Sequence, residues 1–208
     1  ALFTDDVNLP NMLHVAFYRS PYAHGRILSI DISAAVEKEG VVAVYTAESL
    51  GDYWQHGPLL VPPPPVPGIV FNERTQVPLA KGKVRYVGEP IVMVVATSRY
   101  IAEDAAEEVW VDIEPLTAVT NLEAALQPNT PQVHEDVETN ICAHVVQTKG
   151  NGHDFASVRQ QAALVLERRF YYDHGTAAAM ENRGIVADWD RRAQRLTIWD
   201  TTQAPVFI

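Results

Sequence analysis

The sequence predicts a mixed α/β (α+β) chain, and three adjacent stretches carry that prediction. Ile91-Val92-Met93-Val94-Val95-Ala96 is six apolar residues without alternation, too short for a helix and suited to a strand buried on both faces. Ser98 is placed to cap a helix in which Ile101, Ala102, Ala105, Ala106 and Val109 recur at helical spacing, while Arg99, Glu103, Asp104, Glu107 and Glu108 fall elsewhere on the wheel. From Trp110 to Glu114 the period drops to two, and Pro115 ends the strand.

Taken from the start, Met12 to Arg19 and Arg26 to Ile32 read as a pair of strands joined across the Pro21 and Gly25 punctuation. Ser33 begins a short helix through Lys38, Gly40 stops it, and Val41 to Tyr45 is a compact apolar strand. Residues 51–76 show no period and hold Pro58, Pro62, Pro63, Pro64, Pro65 and Pro67, which marks a long surface loop with a polyproline segment. Asn121 to Leu126 reads as one short helix, and residues 127–140 as a polar connection. Beyond it, Ala143 to Thr148 reads as a strand and Asp154 as the cap of a helix through Ala162. Leu164 to Tyr172 alternates like a strand, and Ile185–Trp189 with Leu196–Ile198 form a hairpin.

Sixteen Lys and Arg against 26 Asp and Glu give a net charge of −10, which argues against a nucleic-acid surface and against attraction to anionic lipid. Cys142 is the only cysteine, so the chain forms no internal disulfide and cannot alone supply the thiolates of an iron–sulfur cluster or a structural zinc site. No apolar run approaches the ~20 residues that cross a bilayer, and the first residues lack the blocks of a secretory signal. A cytoplasmic location is therefore expected, with export open if a leader precedes this segment.

Several residues invite a chemical role. The histidines show no pair three or four apart that would put two ligands on one helix face, and Lys149-Gly150-Asn151-Gly152 lacks the Lys-Ser/Thr ending of a phosphate-cradling loop. Gly88 before the buried strand serves a turn, and Glu89 is placed to accept backbone donors. Glu181 and Arg183 resemble an acid–base pair, but a permanently charged guanidinium holds a carboxylate ionised, which makes a brace and not a proton shuttle. The expected role of both is structural.

The segment Lys83-Val84-Arg85-Tyr86-Val87-Gly88-Glu89-Pro90 and the strand and helix after it resemble the molybdopterin-binding large subunit of the xanthine dehydrogenase and aldehyde oxidase family, the molybdenum hydroxylases. Matches continue in family order at Phe3–Pro10, Arg19-Ser20-Pro21-Tyr22-Ala23-His24-Gly25-Arg26-Ile27, Val133-His134-Glu135, Glu167–Phe170, Met180-Glu181-Asn182-Arg183-Gly184 and Thr202–Pro205. Tyr22 departs from the histidine usual at its place.

The resemblance implies an α/β hammerhead domain over residues 1–120, a linker over 121–142 and the beginning of the first molybdopterin-binding domain over 143–208, as in aerobic carbon monoxide dehydrogenase-type large subunits. It implies molybdenum on a molybdopterin, as the cytosine dinucleotide. Electrons would pass to 2Fe-2S clusters and FAD on an iron–sulfur small subunit and an FAD-binding medium subunit, the whole a dimer of heterotrimers. The implied reaction is oxidation or hydroxylation of a small substrate (aldehyde, carbon monoxide, purine or N-heteroaromatic) with water as oxygen source. It further implies that the catalytic base and the molybdenum contacts lie beyond Ile208, so that this segment is mainly scaffold and holds no catalytic residue. His174 is the candidate metal-proximal polar group, standing near the place where purine-oxidising relatives carry a glutamine, which points to a substrate other than a purine. The alternative is a non-catalytic assembly module that docks partner subunits through the loop at 51–76.

Overall fold

The computed structural model describes residues 3–58, 65, 68–146, 155–173, 175–176, 178–202 and 205. In chain order its elements are β1 (His14–Arg19), β2 (Gly25–Asp31), α1 (Ser33–Glu37), β3 (Val41–Tyr45), β4 (Val70–Phe71), β5 (Lys83–Val84), β6 (Pro90–Ala96), α2 (Arg99–Glu107), β7 (Trp110–Pro115), α3 (Leu122–Ala125), β8 (Ala143–His144), α4 (Phe155–Gln161), β9 (Ile185–Asp190) and β10 (Arg195–Asp200). They fall into two compact units: a larger one of Leu9–Pro64 with Val70–His144, and a smaller one of Ala1–Asn8 with Pro65–Ile69 and Val145–Ile208.

The larger unit is built on two three-stranded antiparallel sheets, ordered β1-β6-β3 and β5-β2-β7, with a short β4–β8 ladder beside them. The unbroken apolar run made β6 a strand that must be covered on both edges and both faces. It is the central strand of its sheet, and Ile91, Val92, Val94 and Ala96 are fully buried. Helix α2 starts where Ser98 caps it, its side chain accepting from the Ile101 amide, and buries Ala102, Ala105 and Ala106. Small alanines let the helix approach the β1-β6-β3 sheet closely. Val84, Ile91, Val92, Val94, Val109 and Ile113 form the shared core, each aliphatic side chain contributing about 1.5–3 kcal/mol.

One expectation changes, and two further features go beyond what periodicity predicts. The two opening strands do not pair: β1 lies against β6, and β2 between β5 and β7, because the segment from Ser20 to His24 carries the chain from one sheet to the other. The strand–helix–strand run likewise spans two sheets, since β6 and β7 belong to different ones. Bulges absorb one residue each at Leu28 and Val42, which turn outward while their strands stay in register.

In the smaller unit β9 and β10 form the predicted hairpin, Arg195 opposite Asp190 through Asp200 opposite Ile185. Its turn is held by Asp190 Oδ1, which accepts from the Arg192 and Ala193 amides, while Gln194 takes φ +50°. Helix α4 forms as expected, its predicted cap Asp154 lying outside the described residues. The strand predicted from Leu164 to Tyr172 does not form. Alternation alone leaves a strand's amides unpaired, no strand among the described residues adds to this stretch, and Leu166, Phe170 and Tyr172 stay exposed. The strand at 143 is shorter than expected, ending at His144.

Candidate functional site

Two groups of functional side chains can be built from the sequence upward, one in each unit. In the smaller unit Glu181 follows the fully exposed Met180. Its Oε1 accepts from the Thr4 amide at 2.8 Å and from the Thr201 hydroxyl at 3.1 Å, and the hydroxyls of Thr4 and Thr201 are 2.7 Å apart. Thr201 in turn donates its amide to Gly184 O. Glu181 thus stitches together the first residues of the chain, the turn before β9 and the end of β10. No ion pair joins it to Arg183, whose side chain is exposed. A backbone amide and a threonine hydroxyl, not the guanidinium, occupy the carboxylate. His174 lies outside the described residues, as do Lys149 to Gly152.

In the larger unit the turn between β5 and β6 collects charged groups. Gly88 takes φ +86° there, which permits its amide to reach Ser20 O at 2.8 Å while Arg19 donates to Gly88 O. Glu89 is buried and accepts from the Arg85 amide at 2.5 Å. Burial pushes its carboxyl above the usual range, an effect the backbone donor partly offsets. Burial, and then Glu89, also push the Tyr86 phenol up.

A strap from Val133 to Asp136 is fastened across this turn. Lys83, buried at the strand edge, pairs with Glu135; Arg85 Nε donates to Val133 O at 3.1 Å; and Arg74 Nη2 meets Asp136 Oδ2 at 2.5 Å. Lys83 holds the Glu135 carboxyl below its ordinary value, and Arg74 does the same for Asp136. His134, between them, is pushed down first by burial and then by Arg85 and Arg74. The residues of this strap are visible as separate sequence motifs, but no spacing rule joins positions fifty residues apart. Glu89 accepts a backbone donor as its place before the strand implies.

These residues brace; they do not ligate. Among the described residues no group of three or more His, Cys, Asp or Glu side chains could hold a metal ion. Two cavities, of about 200 and 340 Å³, are lined only by residues of the larger unit. Neither of these two cavities holds such a metal donor set.

The comparisons with known proteins agree with this frame. The family described as "Aldehyde oxidase and xanthine dehydrogenase, a/b hammerhead domain" matches residues 1–117, and "Molybdopterin cofactor-binding domain" matches residues 133–208. Two sheets with their helix, followed by the opening of a cofactor-binding domain, define a molybdenum-hydroxylase large-subunit architecture. The chain belongs to the aldehyde oxidase and xanthine dehydrogenase family.

It is 33% identical over 213 residues to the nicotine 6-hydroxylase large subunit of Paenarthrobacter nicotinovorans, covering 99% of this chain and 24% of that protein. It is 34% identical to the carbon monoxide dehydrogenase large chain of Afipia carboxidovorans, covering 98% and 25%. Among solved structures, quinoline 2-oxidoreductase from Pseudomonas putida 86 superposes with a TM-score of 0.85 at 36% identity, covering 99% of this chain and 25% of that one. The chain spans about a quarter of the length of these relatives. No helix among the described residues is long and apolar enough to cross a membrane.

Proposed function

We propose that this chain is part of the large subunit of a molybdenum-dependent oxidoreductase that hydroxylates or oxidises a small substrate with water as oxygen source. The observation that carries the reading is the match along 98–99% of the chain to large subunits whose names specify nicotine hydroxylation and carbon monoxide oxidation, together with the fit to a quinoline oxidoreductase. The cofactor is molybdopterin, in the cytosine dinucleotide form, and when bound it supplies the redox chemistry. Electrons go to 2Fe-2S clusters and FAD on small and medium partner subunits, in a dimer of heterotrimers in the cytoplasm.

Within that assembly residues 1–120 act as the hammerhead domain, 121–142 as the linker and 143–208 as the start of the cofactor domain. This segment works as frame. Glu181 and Arg183 act structurally, a role supported for Glu181 by its bonds to Thr4 and Thr201. Within this segment His174 is the candidate metal-proximal polar group, the molybdenum contacts themselves lying beyond Ile208. The substrate is an aldehyde, carbon monoxide, a purine or an N-heteroaromatic, with the last supported by the nicotine and quinoline relatives.

The test is to purify the full-length product with the products of its neighbouring genes and to measure molybdenum, iron and flavin by elemental analysis and absorbance. All three are expected, with turnover of an N-heteroaromatic, an aldehyde or carbon monoxide. A complex that assembles under molybdenum-replete expression yet carries no molybdenum would overturn the reading in favour of an assembly module.

A further inference from the structure

We propose that the larger unit holds a binding site for the hydrogen phosphate ion, in the cavity of about 200 Å³ between the Arg85–Val87 turn and the segment Ala118–Thr120. The space admits several waters, and so a five-atom oxyanion. Two side chains set the chemistry of any occupant.

The first is His24, which lines the cavity and is only 6% exposed. Its Nδ1 lies 2.8 Å from Thr117 O, and a carbonyl only accepts, so Nδ1 carries the proton, and in that tautomer Nε2 presents its lone pair as an acceptor. That Nε2 is buried without a hydrogen-bond partner among the described residues. Buried acceptors are rarely left so, and this one calls for a donor.

The second is Arg85. Its Nε is used by Val133 O, but its two terminal nitrogens form no hydrogen bond or ion pair among the described residues. A guanidinium fork of this kind matches two oxygens of a phosphate. Glu89 accepts from the Arg85 amide and Glu135 pairs with Lys83, so both carboxylates feel the Arg85 charge but neither forms an ion pair with its guanidinium. His134, lowered first by burial and then by Arg85 and Arg74, faces the same guanidinium, and Tyr86, also on the cavity wall and raised by burial and then by Glu89, offers its phenolic hydroxyl as a further donor.

An occupant must therefore accept from Arg85 and donate to His24. At neutral pH a phosphate ion does both, through its anionic oxygens and its remaining P–OH. Sulfate and simple carboxylates carry no proton there and satisfy only the arginine.

The test titrates inorganic phosphate, and separately sulfate at matched ionic strength, into the full-length polypeptide with its partner subunits at pH 7.5, read by calorimetry. Saturable phosphate binding is expected, with sulfate at least tenfold weaker. Arg85→Gln should weaken phosphate at least tenfold. Because that variant also loosens Val133, Ala118→Leu provides a second arm: it fills the cavity from the opposite wall, changes no charge, and should weaken phosphate as much. Equal affinity for sulfate, unchanged phosphate binding in both variants, or no saturable phosphate binding would each overturn the proposal.

Discussion

Adding one methyl group at Gly25 should destabilise the larger unit by about 2–3 kcal/mol, at the upper end of the overpacking range. Gly25 sits in the middle strand of its sheet, paired with Val84 on one side and Pro115 on the other. A Cβ built there would lie 2.4 Å from Ile113 Cγ2, 3.2 Å from Glu114 O and 3.5 Å from Val84 Cγ2. Carbon pairs rest at about 3.5–4.0 Å, so the isoleucine methyl must retreat by more than about 1 Å. It has little freedom to do so, because Ile113 is β-branched, buried and part of the core.

At about 2–4 °C per kcal/mol for a chain of this size, the midpoint of thermal unfolding should fall by about 4–12 °C. Urea denaturation followed by circular dichroism measures the free energy directly. Ile113→Ala alone should cost about 2–5 kcal/mol through its cavity. In the double variant the new methyl occupies part of that cavity, so the summed losses should exceed the measured one by at least about 1 kcal/mol. A Gly25→Ala protein within about 0.5 kcal/mol of the parent, or strict additivity with Ile113→Ala, would refute this account of the packing.

Gly40→Ala should destabilise by about 1–2 kcal/mol, because φ is +89° there and the new Cβ would meet Ile101 Cδ1 at 2.7 Å; the same urea titration reads it. Glu181→Ala should speed hydrogen exchange of the Thr4 amide at least tenfold, whereas Glu181→Gln, which keeps an acceptor oxygen, should leave most of the protection; equal exchange in both would mean that the carboxylate does not hold the N-terminal segment. The larger unit should lose stability as the medium is acidified. Glu135, held low by Lys83, stabilises above the ordinary glutamate pKa and loses that contribution as pH falls through its folded value, and His134, held low by burial, does likewise below the ordinary histidine pKa. Glu89, raised by burial, acts in the opposite sense between its ordinary and folded values. His134→Gln should flatten the loss between pH 7 and 5 in a pH series of urea midpoints, and an unchanged slope would exclude His134 as its source.

The sequence by itself determined the local elements and the family. Continuous apolar character made β6 a central strand, Ser98 and the alanine spacing set the start and buried face of α2, and the ordered motifs from Arg19-Ser20-Pro21 to Met180-Glu181 pointed to the molybdenum hydroxylases. The role of Glu89 as a backbone acceptor was legible too, because a carboxylate one residue before a buried strand faces unpaired amides.

Only the tertiary structure decided which strands meet. Periodicity is a property of one segment, whereas pairing depends on two, so the sequence could neither separate β1 from β2 nor show that Leu164 to Tyr172 finds no partner. The same holds for the sites. Lys83 with Glu135, Arg85 with Val133, His24 with Thr117 and Glu181 with Thr4 join residues separated by 48 to 177 positions. Charge and hydrogen bonding act over a few ångströms of space, and chain separation carries no information about that distance until the sheets have formed.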